Sequence, residues 1–205
     1  LSWRRVTNGV GMSATDFIAH RYMGLFVWWP VAVRPEPRSA LLISYGLGTT
    51  ARALVETSSL REIDVADVSA DVLRMSSIVW ADQGANPLRD PRVRVHIEDG
   101  RFFLLTTRTR YDLITAEPPP PKSAGIVNLY SQEYFELMRE RLAEGGVVTY
   151  WLPVLQLSPP EALAVIKAFC NVFEDCSLWS GIGHEWMLAG SRGASSPSSP
   201  EQFSQ

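Results

Sequence analysis

The sequence predicts an α/β protein built on a doubly wound, mainly parallel sheet of seven strands. Three observations predict it. From residue 40 onward, short runs of aliphatic and β-branched residues alternate with helix-length amphipathic stretches. The first of those strands lies in Leu41–Arg52 (LLISYGLGTTAR), which runs from an apolar strand through a Gly-x-Gly turn into a helix start. Acidic residues stand where successive strands end, at Asp67, Asp99 and Glu117.

Composition bounds the classes open to the chain. Its 205 residues, 46% hydrophobic and 20% charged, suit one globular domain with a small appendage. A formal net charge of −3 argues against a phosphate-backbone binder, so nucleic acid is not an expected partner. Cys170 and Cys176 make neither a metal-ligand cluster nor a disulfide framework, and a reducing compartment is the default. His20, His96 and His184 are scattered, and no metal is expected. The chain begins with Leu1 rather than Met, and no signal peptide is visible. Its most apolar run, Met23–Val33, is too short to span a bilayer and contains Pro30; it reads as a segment that covers the core, the alternative being a surface that docks on a membrane or another domain.

Residues 1–39 read as an N-terminal lead. Leu1–Val6 has strand character, Asn8-Gly9 is a turn signal, and Asp16–Trp29 reads as a helix with His20, Arg21 and Tyr22 in its middle. Arg34-Pro35-Glu36-Pro37 then breaks the chain ahead of the main domain, 40–192. Ala40–Tyr45 is its first strand, with a helix at Thr50–Thr57. Glu62–Asp67 is the second strand, with a helix at Ala70–Ala81. Val93–Glu98 is the third, followed by a short helix at Arg101–Thr106. Tyr111–Ala116 is the fourth; a proline-rich loop, Glu117–Lys122, leads to a helix at Ser131–Leu142 that Gly145-Gly146 should close. Val147–Trp151 is the fifth strand, and Ser158–Val172 an amphipathic helix introduced by Ser158-Pro159-Pro160. Ser177–Trp179 and Glu185–Ala189 complete the sheet as a hairpin. The Ser/Pro-rich tail, 193–205, reads as disordered.

Ligands of such sheets sit beyond the carboxyl ends of the strands. Gly46 and Gly48 let backbone approach a ligand there, with the free N–H groups of the helix start facing it. Asp67 follows the glycine turn by about 20 residues, the place of an acid that binds ribose hydroxyls. Asp99, in Glu98-Asp99-Gly100, could accept an adenine amino proton. Singly, each acid also reads as a turn acid or helix cap. Three in register with a glycine turn point to a nucleoside-type ligand.

In this order of motifs the chain resembles a known family. The glycine turn, the acid after the second strand, Asp-Gly after the third, YDLITAEP, and NLYSQEYFELMRERLAEGGV are similar to the spermidine synthase family of aminopropyltransferases. More closely they resemble its divergent bacterial branch, often fused to membrane transporter-like segments. There the lead (Asn8-Gly9, Arg21-Tyr22-Met23, Pro35-Glu36-Pro37), DGRFFLLTT at Asp99–Thr107, Asn128-Leu129-Tyr130, Trp151-Leu152-Pro153 and Leu157-Ser158-Pro159 recur in the same order. The resemblance covers roughly residues 6–192. It implies a Rossmann-like fold of the class I S-adenosylmethionine-dependent methyltransferase kind. It also implies decarboxylated S-adenosylmethionine, or S-adenosylmethionine itself, as co-substrate. Gly46 and Gly48 would back the sulfonium side chain, Asp67 with Val68 would hold the ribose, and Asp99 with Gly100 would face the adenine. Glu117 stands where the family places an aspartate that positions and deprotonates the acceptor amine; Tyr22 and Tyr130 would join it. Each tyrosine has a second reading, Tyr22 as core and Tyr130 as a cap on the loop. His96 and the tryptophans at 28, 29 and 151 read as structural.

Two departures touch the amine half of the site. Pro120 replaces a second aspartate, and His20-Arg21 replaces a Tyr-Gln pair, an arginine there being repulsive to a cationic amine. The expected partners are a small-molecule amine and a second copy of the chain, with Phe26 to Trp29 as the dimer surface. The expected location is the cytoplasm, with membrane tethering if a transporter-like segment precedes the chain. Aminopropyl transfer is the leading function. Methyl transfer on the same fold, or nucleoside binding without catalysis, are the alternatives.

Overall fold

The computed structural model describes residues 2–7, 10–34, 36–82, 84–122, 125–181 and 183–193. The expected turn at Asn8-Gly9 and the tail beyond Gly193 lie outside them. A hairpin opens the chain, with β1 (Arg4–Thr7) antiparallel to β2 (Val10–Ala14) and a bulge between Arg5 and Val6. The sequence expects a strand or hairpin in the lead but sets no bounds for the second strand, because its Gly, Met, Ser and Ala carry little strand signal. Helix α1 follows at Phe17–Val33, its first turn capped by Asp16, whose Oδ1 accepts from Ala19 N at 2.9 Å.

Helix α1 runs past the expected end at Trp29 and through Pro30. A proline inside a helix leaves the carbonyl four residues earlier without its donor. Here that carbonyl, on Phe26, accepts from the Thr149 hydroxyl at 2.8 Å, so the lost bond is replaced from the sheet.

The main sheet has the order β5-β4-β3-β6-β7-β9-β8. Its strands are β3 (Ser39–Ile43), β4 (Glu62–Asp67), β5 (Val93–Ile97), β6 (Tyr111–Ala116), β7 (Leu142–Leu152), β8 (Ser177–Ser180) and β9 (Trp186–Ser191). Strands β3 to β7 are mutually parallel where they pair, and β9 is antiparallel to both of its neighbours. The seven-stranded, mainly parallel sheet expected from the sequence is therefore present. Helices α2 (Thr49–Glu56) and α3 (Ala70–Val79) share one face with α1, over a core that includes Val27, Leu42, Leu54 and Val65. Helices α4 (Gly100–Thr106), α5 (Gln132–Arg141) and α6 (Pro159–Cys170) cover the other, over Leu41, Ile43, Phe135, Tyr150 and Phe169. Alternate residues of β3 feed the two cores, as the pleat requires.

Sheet order reverses between β3 and β6, and the crevice above that switch point is where the fold opens a ligand site. At the opposite end, Asp112 ties the lead to the sheet. It accepts from Arg34 Nη2 at 2.8 Å, from Arg38 N at 2.7 Å and from Ser39 N at 3.1 Å.

Three expectations are corrected. Gly145-Gly146 do not close α5; β7 starts at Leu142 and passes through both. Leu142 is buried and pairs with Tyr111, and the glycines absorb the register shift that follows, Gly145 at φ +67°. The two cysteines are not free thiols: Cys170 ends α6, the chain turns back, and it is disulfide-bonded to Cys176 with Cα atoms 5.2 Å apart. Of the expected dimer surface Phe26 to Trp29, Phe26 and Val27 face inward against the core, and Trp28 alone is exposed. Among the described residues, no helix is long and apolar enough to cross a membrane.

Candidate active site

A cavity of about 580 Å³ opens above the carboxyl ends of β3, β4 and β6, roofed by the β1–β2 hairpin and α1. Its floor is the turn after β3. Ser44 and Gly46 both take positive φ, +74° and +62°, which folds the chain back under the cavity. Gly48 adopts φ +85° and caps α2; a Cβ there would lie 2.2 Å from the Tyr45 hydroxyl oxygen. Gly46 is on the cavity wall, whereas Gly48 supports the turn from behind through Tyr45.

Asp67, at the end of β4, is buried and braces the same turn. Its Oδ2 accepts from Tyr45 N and its Oδ1 from Ser69 N, each at 2.8 Å. Each oxygen keeps a lone pair for a ligand hydroxyl. Val68 beside it is exposed at the rim. Asp99 caps α4 by accepting from Phe102 N at 3.0 Å, and it also lines the cavity. Gly100 follows it with no room for a side chain, since a Cβ would meet Ile43 Cγ2 at 2.4 Å.

The acceptor side gathers around Glu117. Strands β6 and β7 pair with Ala116 opposite Tyr150, so Glu117, just past the end of β6, stands beside Trp151 of β7. Glu117 Oε1 accepts from the Thr50 hydroxyl at the start of α2. Burial pushes its carboxyl up to about 7, against the Thr50 hydrogen bond, with the negative charge of Glu185 adding to the rise. Glu185 is itself raised by burial, opposed by Trp151, whose Nε1 donates to its Oε2 at 2.7 Å. Tyr22 lines the cavity and is held neutral by burial and by the charges of Glu117, Glu185 and Asp16. A neutral phenol so placed can donate a hydrogen bond.

Tyr130 is buried behind the proline loop, away from the cavity wall. Its hydroxyl donates to the carbonyls of Pro118 and Pro119, at 3.1 Å each, so its bonds go to the loop. Trp151, expected to be packing alone, lines the cavity and is corrected to a site residue. Arg21 is exposed over the Phe17 ring, 5.7 Å from its centroid, so the repulsion expected from it is directed outward. His96 bonds Asp64 at 2.8 Å within β4–β5 and has no part in the cavity.

Sequence reasoning missed Arg5 and Glu185. Arg5 reaches the cavity from β1, and Glu185 precedes β9. Neither lies in a motif, and only the hairpin's fold-back and the β7–β9 register bring them here.

A family model for the spermine/spermidine synthase domain matches residues 19–178. The chain belongs to the spermine/spermidine synthase family. Its similar relatives include the polyamine aminopropyltransferase of Clostridium perfringens (strain SM101 / Type A), 31% identical over 140 residues, covering 67% of this chain and 48% of that protein. The spermidine synthase of Schizosaccharomyces pombe (strain 972 / ATCC 24843) is 28% identical over 138 residues, covering 67% and 46%. The chain thus spans about half the length of the curated relatives it matches. Among solved structures, the spermidine synthase of Thermotoga maritima superposes with a TM-score of 0.81 at 18% identity, over 97% of this chain and 69% of that one. The O-methyltransferase TomG of Streptomyces achromogenes, in complex with SAM, gives 0.62 at 15% identity, over 87% and 82%. Both share the fold.

Proposed function

We propose that the chain is an aminopropyltransferase-like enzyme. It would move an aminopropyl-type chain from a sulfonium nucleoside of the S-adenosylmethionine kind to an amine. Glu117 carries the reading: a carboxyl pushed to about 7 at the end of β6, one hydroxyl away from the glycine-turn helix. An alkylammonium loses its proton only near pH 10, so the amine needs a base before it can attack. The amine nitrogen bonds to the carbon beside sulfur. The sulfur–carbon bond breaks with its electron pair on sulfur, and methylthioadenosine leaves. The released proton goes to Glu117, whose raised basicity suits it to hold one.

The remaining residues divide the work. Asp67, with Val68 at the rim, would bind the ribose hydroxyls, and Asp99 with Gly100 would face the adenine. Gly46 would let the turn backbone approach the sulfonium chain, and Gly48 would hold that turn in shape. Tyr22 would donate to the amine's surroundings, and Tyr130 would fix the proline loop over the pocket. Family membership, Asp67 braced in the turn and the raised Glu117 support this reading against methyl transfer and against a domain without catalysis.

The test is turnover. Purified chain is incubated with each donor and a panel of mono- and diamines, and methylthioadenosine release is followed. The expected result is release dependent on an amine, lost roughly 10²–10⁴-fold in Glu117→Gln while donor binding persists. Donor binding without release for any amine would support the non-catalytic reading. Release of S-adenosylhomocysteine instead would support methyl transfer.

A further inference from the structure

Arg5 is a cation on the wall of a cavity expected to take a cationic sulfonium. Arg5 is half-buried, and its Nε is fully buried without a hydrogen-bond partner among the described residues. None of those residues makes an ion pair with it. The charge that acts on it is Asp67, both of whose oxygens already accept backbone N–H groups. Burial lowers the arginine's affinity for its proton, and Asp67 only partly offsets this. A buried guanidinium N–H without a bonded partner is costly unless a ligand supplies an acceptor, and an anion is the acceptor a guanidinium holds best.

The hairpin fixes where that anion would lie. Arg5 is paired across the strands with Ser13. Ser13 sits on the glycine turn: its hydroxyl oxygen accepts from Leu47 N at 3.3 Å and would lie 3.1 Å from a Cβ on Gly46. The Thr49 hydroxyl fastens the next residue, donating to Ala14 O at 2.9 Å. Arg5 therefore stands over the turn that backs the sulfonium side chain. No residue of that turn and helix start, Tyr45–Thr50, is itself a carboxylate; Asp67 and Glu117 bond to its two ends, at Tyr45 N and the Thr50 hydroxyl.

We propose that Arg5 binds a carboxylate on the tail of the sulfonium donor, so that the aminopropyl chain transferred from this site still carries its carboxylate. This rests on the adenosyl-pocket reading above and names its donor. A guanidinium matches a carboxylate in a paired, charge-assisted hydrogen bond. The same guanidinium repels the tail of a decarboxylated donor, which is purely cationic. The bond chemistry is unchanged: nitrogen–carbon forms, sulfur–carbon breaks, and methylthioadenosine leaves.

Calorimetric titration with S-adenosylmethionine, its decarboxylated form and methylthioadenosine tests it, on the wild type, Arg5→Leu, Arg5→Lys and Asp67→Ala. In the wild type, S-adenosylmethionine should bind at least about tenfold more tightly than the decarboxylated donor. Arg5→Leu should erase that preference and leave methylthioadenosine, which has no carboxylate, unchanged; Arg5→Lys should restore part of it. Equal or tighter binding of the decarboxylated donor by the wild type would overturn the proposal. So would an equal loss for all three ligands in Arg5→Leu, which would make Arg5 a brace for Asp67. If methylthioadenosine binds and Asp67→Ala abolishes it, the pocket reading stands whatever Arg5 does. If no ligand binds the folded wild type, that reading fails and the proposal falls with it.

Discussion

Glu117 must be ionised before it can take a proton from an amine. With its carboxyl at about 7, kcat/KM should rise with pH through that value, and rise again toward the pKa of the free amine near 10. The stability effect has the opposite sign. A carboxyl raised on folding binds its proton more tightly in the native state, so its contribution is full below the unfolded value, near 4.5, and is lost as pH climbs through about 7. Glu117→Gln should therefore be more stable than the wild type at pH 8, by on the order of 1 kcal/mol after discounting for its partial exposure, and indistinguishable at pH 4. Denaturant melts at the two pH values check this. Tyr134 offers a second test. Its ring is fully buried and its hydroxyl has no partner among the described residues. Tyr134→Phe should be neutral or slightly stabilising, because it removes a buried oxygen that bonds nothing. At this scale the sequence was legible for acids that end strands, since position alone marks Asp67, Asp99 and Glu117. It was silent on Arg5 and Glu185 and read Trp151 as packing, since what each of them faces depends on which strand lies beside which.

Among the elements, the turn between β3 and α2 is the least tolerant. Gly48→Ala combines a left-handed backbone with a Cβ 2.2 Å from the Tyr45 hydroxyl oxygen. It should lose about 1–3 kcal/mol and, by displacing the turn, weaken nucleoside binding as well. Thermal melts and titration with methylthioadenosine measure the two losses separately. The disulfide after α6 closes a short loop, six residues in sequence separation, and so restricts the unfolded chain modestly. Reduction, or Cys176→Ser, should lower stability by about 2 kcal/mol and Tm by about 4–8 °C without moving donor affinity, because the bond is remote from the cavity. Strands β4 and β6 were read to the residue, each bounded by polar residues at both ends of a buried run. The ends of α1 and α5 were not. A proline and a glycine pair are ordinarily stop signals, and here a hydroxyl from β7 and a bulge in β7 overrule them.

At the level of the whole molecule, doubly wound order was readable because each βα unit repeats the same apolar rhythm. What could not be read was the placement of the lead, whose helix packs within the layer beside α2 and whose hairpin roofs the cavity. Of the expected dimer surface, Phe26 to Trp29, only Trp28 is exposed, and it lines up with exposed Phe17 and Leu25 along one side of α1, the face open to a homodimer. Leu25→Glu with Trp28→Glu should convert a dimer to monomer by light scattering; a dimer that survives the change uses another face. Asp112 has a further consequence. Its clamp joins the lead to the sheet at the end opposite the cavity, whereas Arg5, Glu117 and the proline loop stand at the other end. An engineer seeking new acceptors could randomise Glu117–Lys122 and the approach to β9 while leaving that anchorage intact. Variants from such a library should diverge in selectivity long before they diverge in melting behaviour, which makes the chain a forgiving scaffold for redesign.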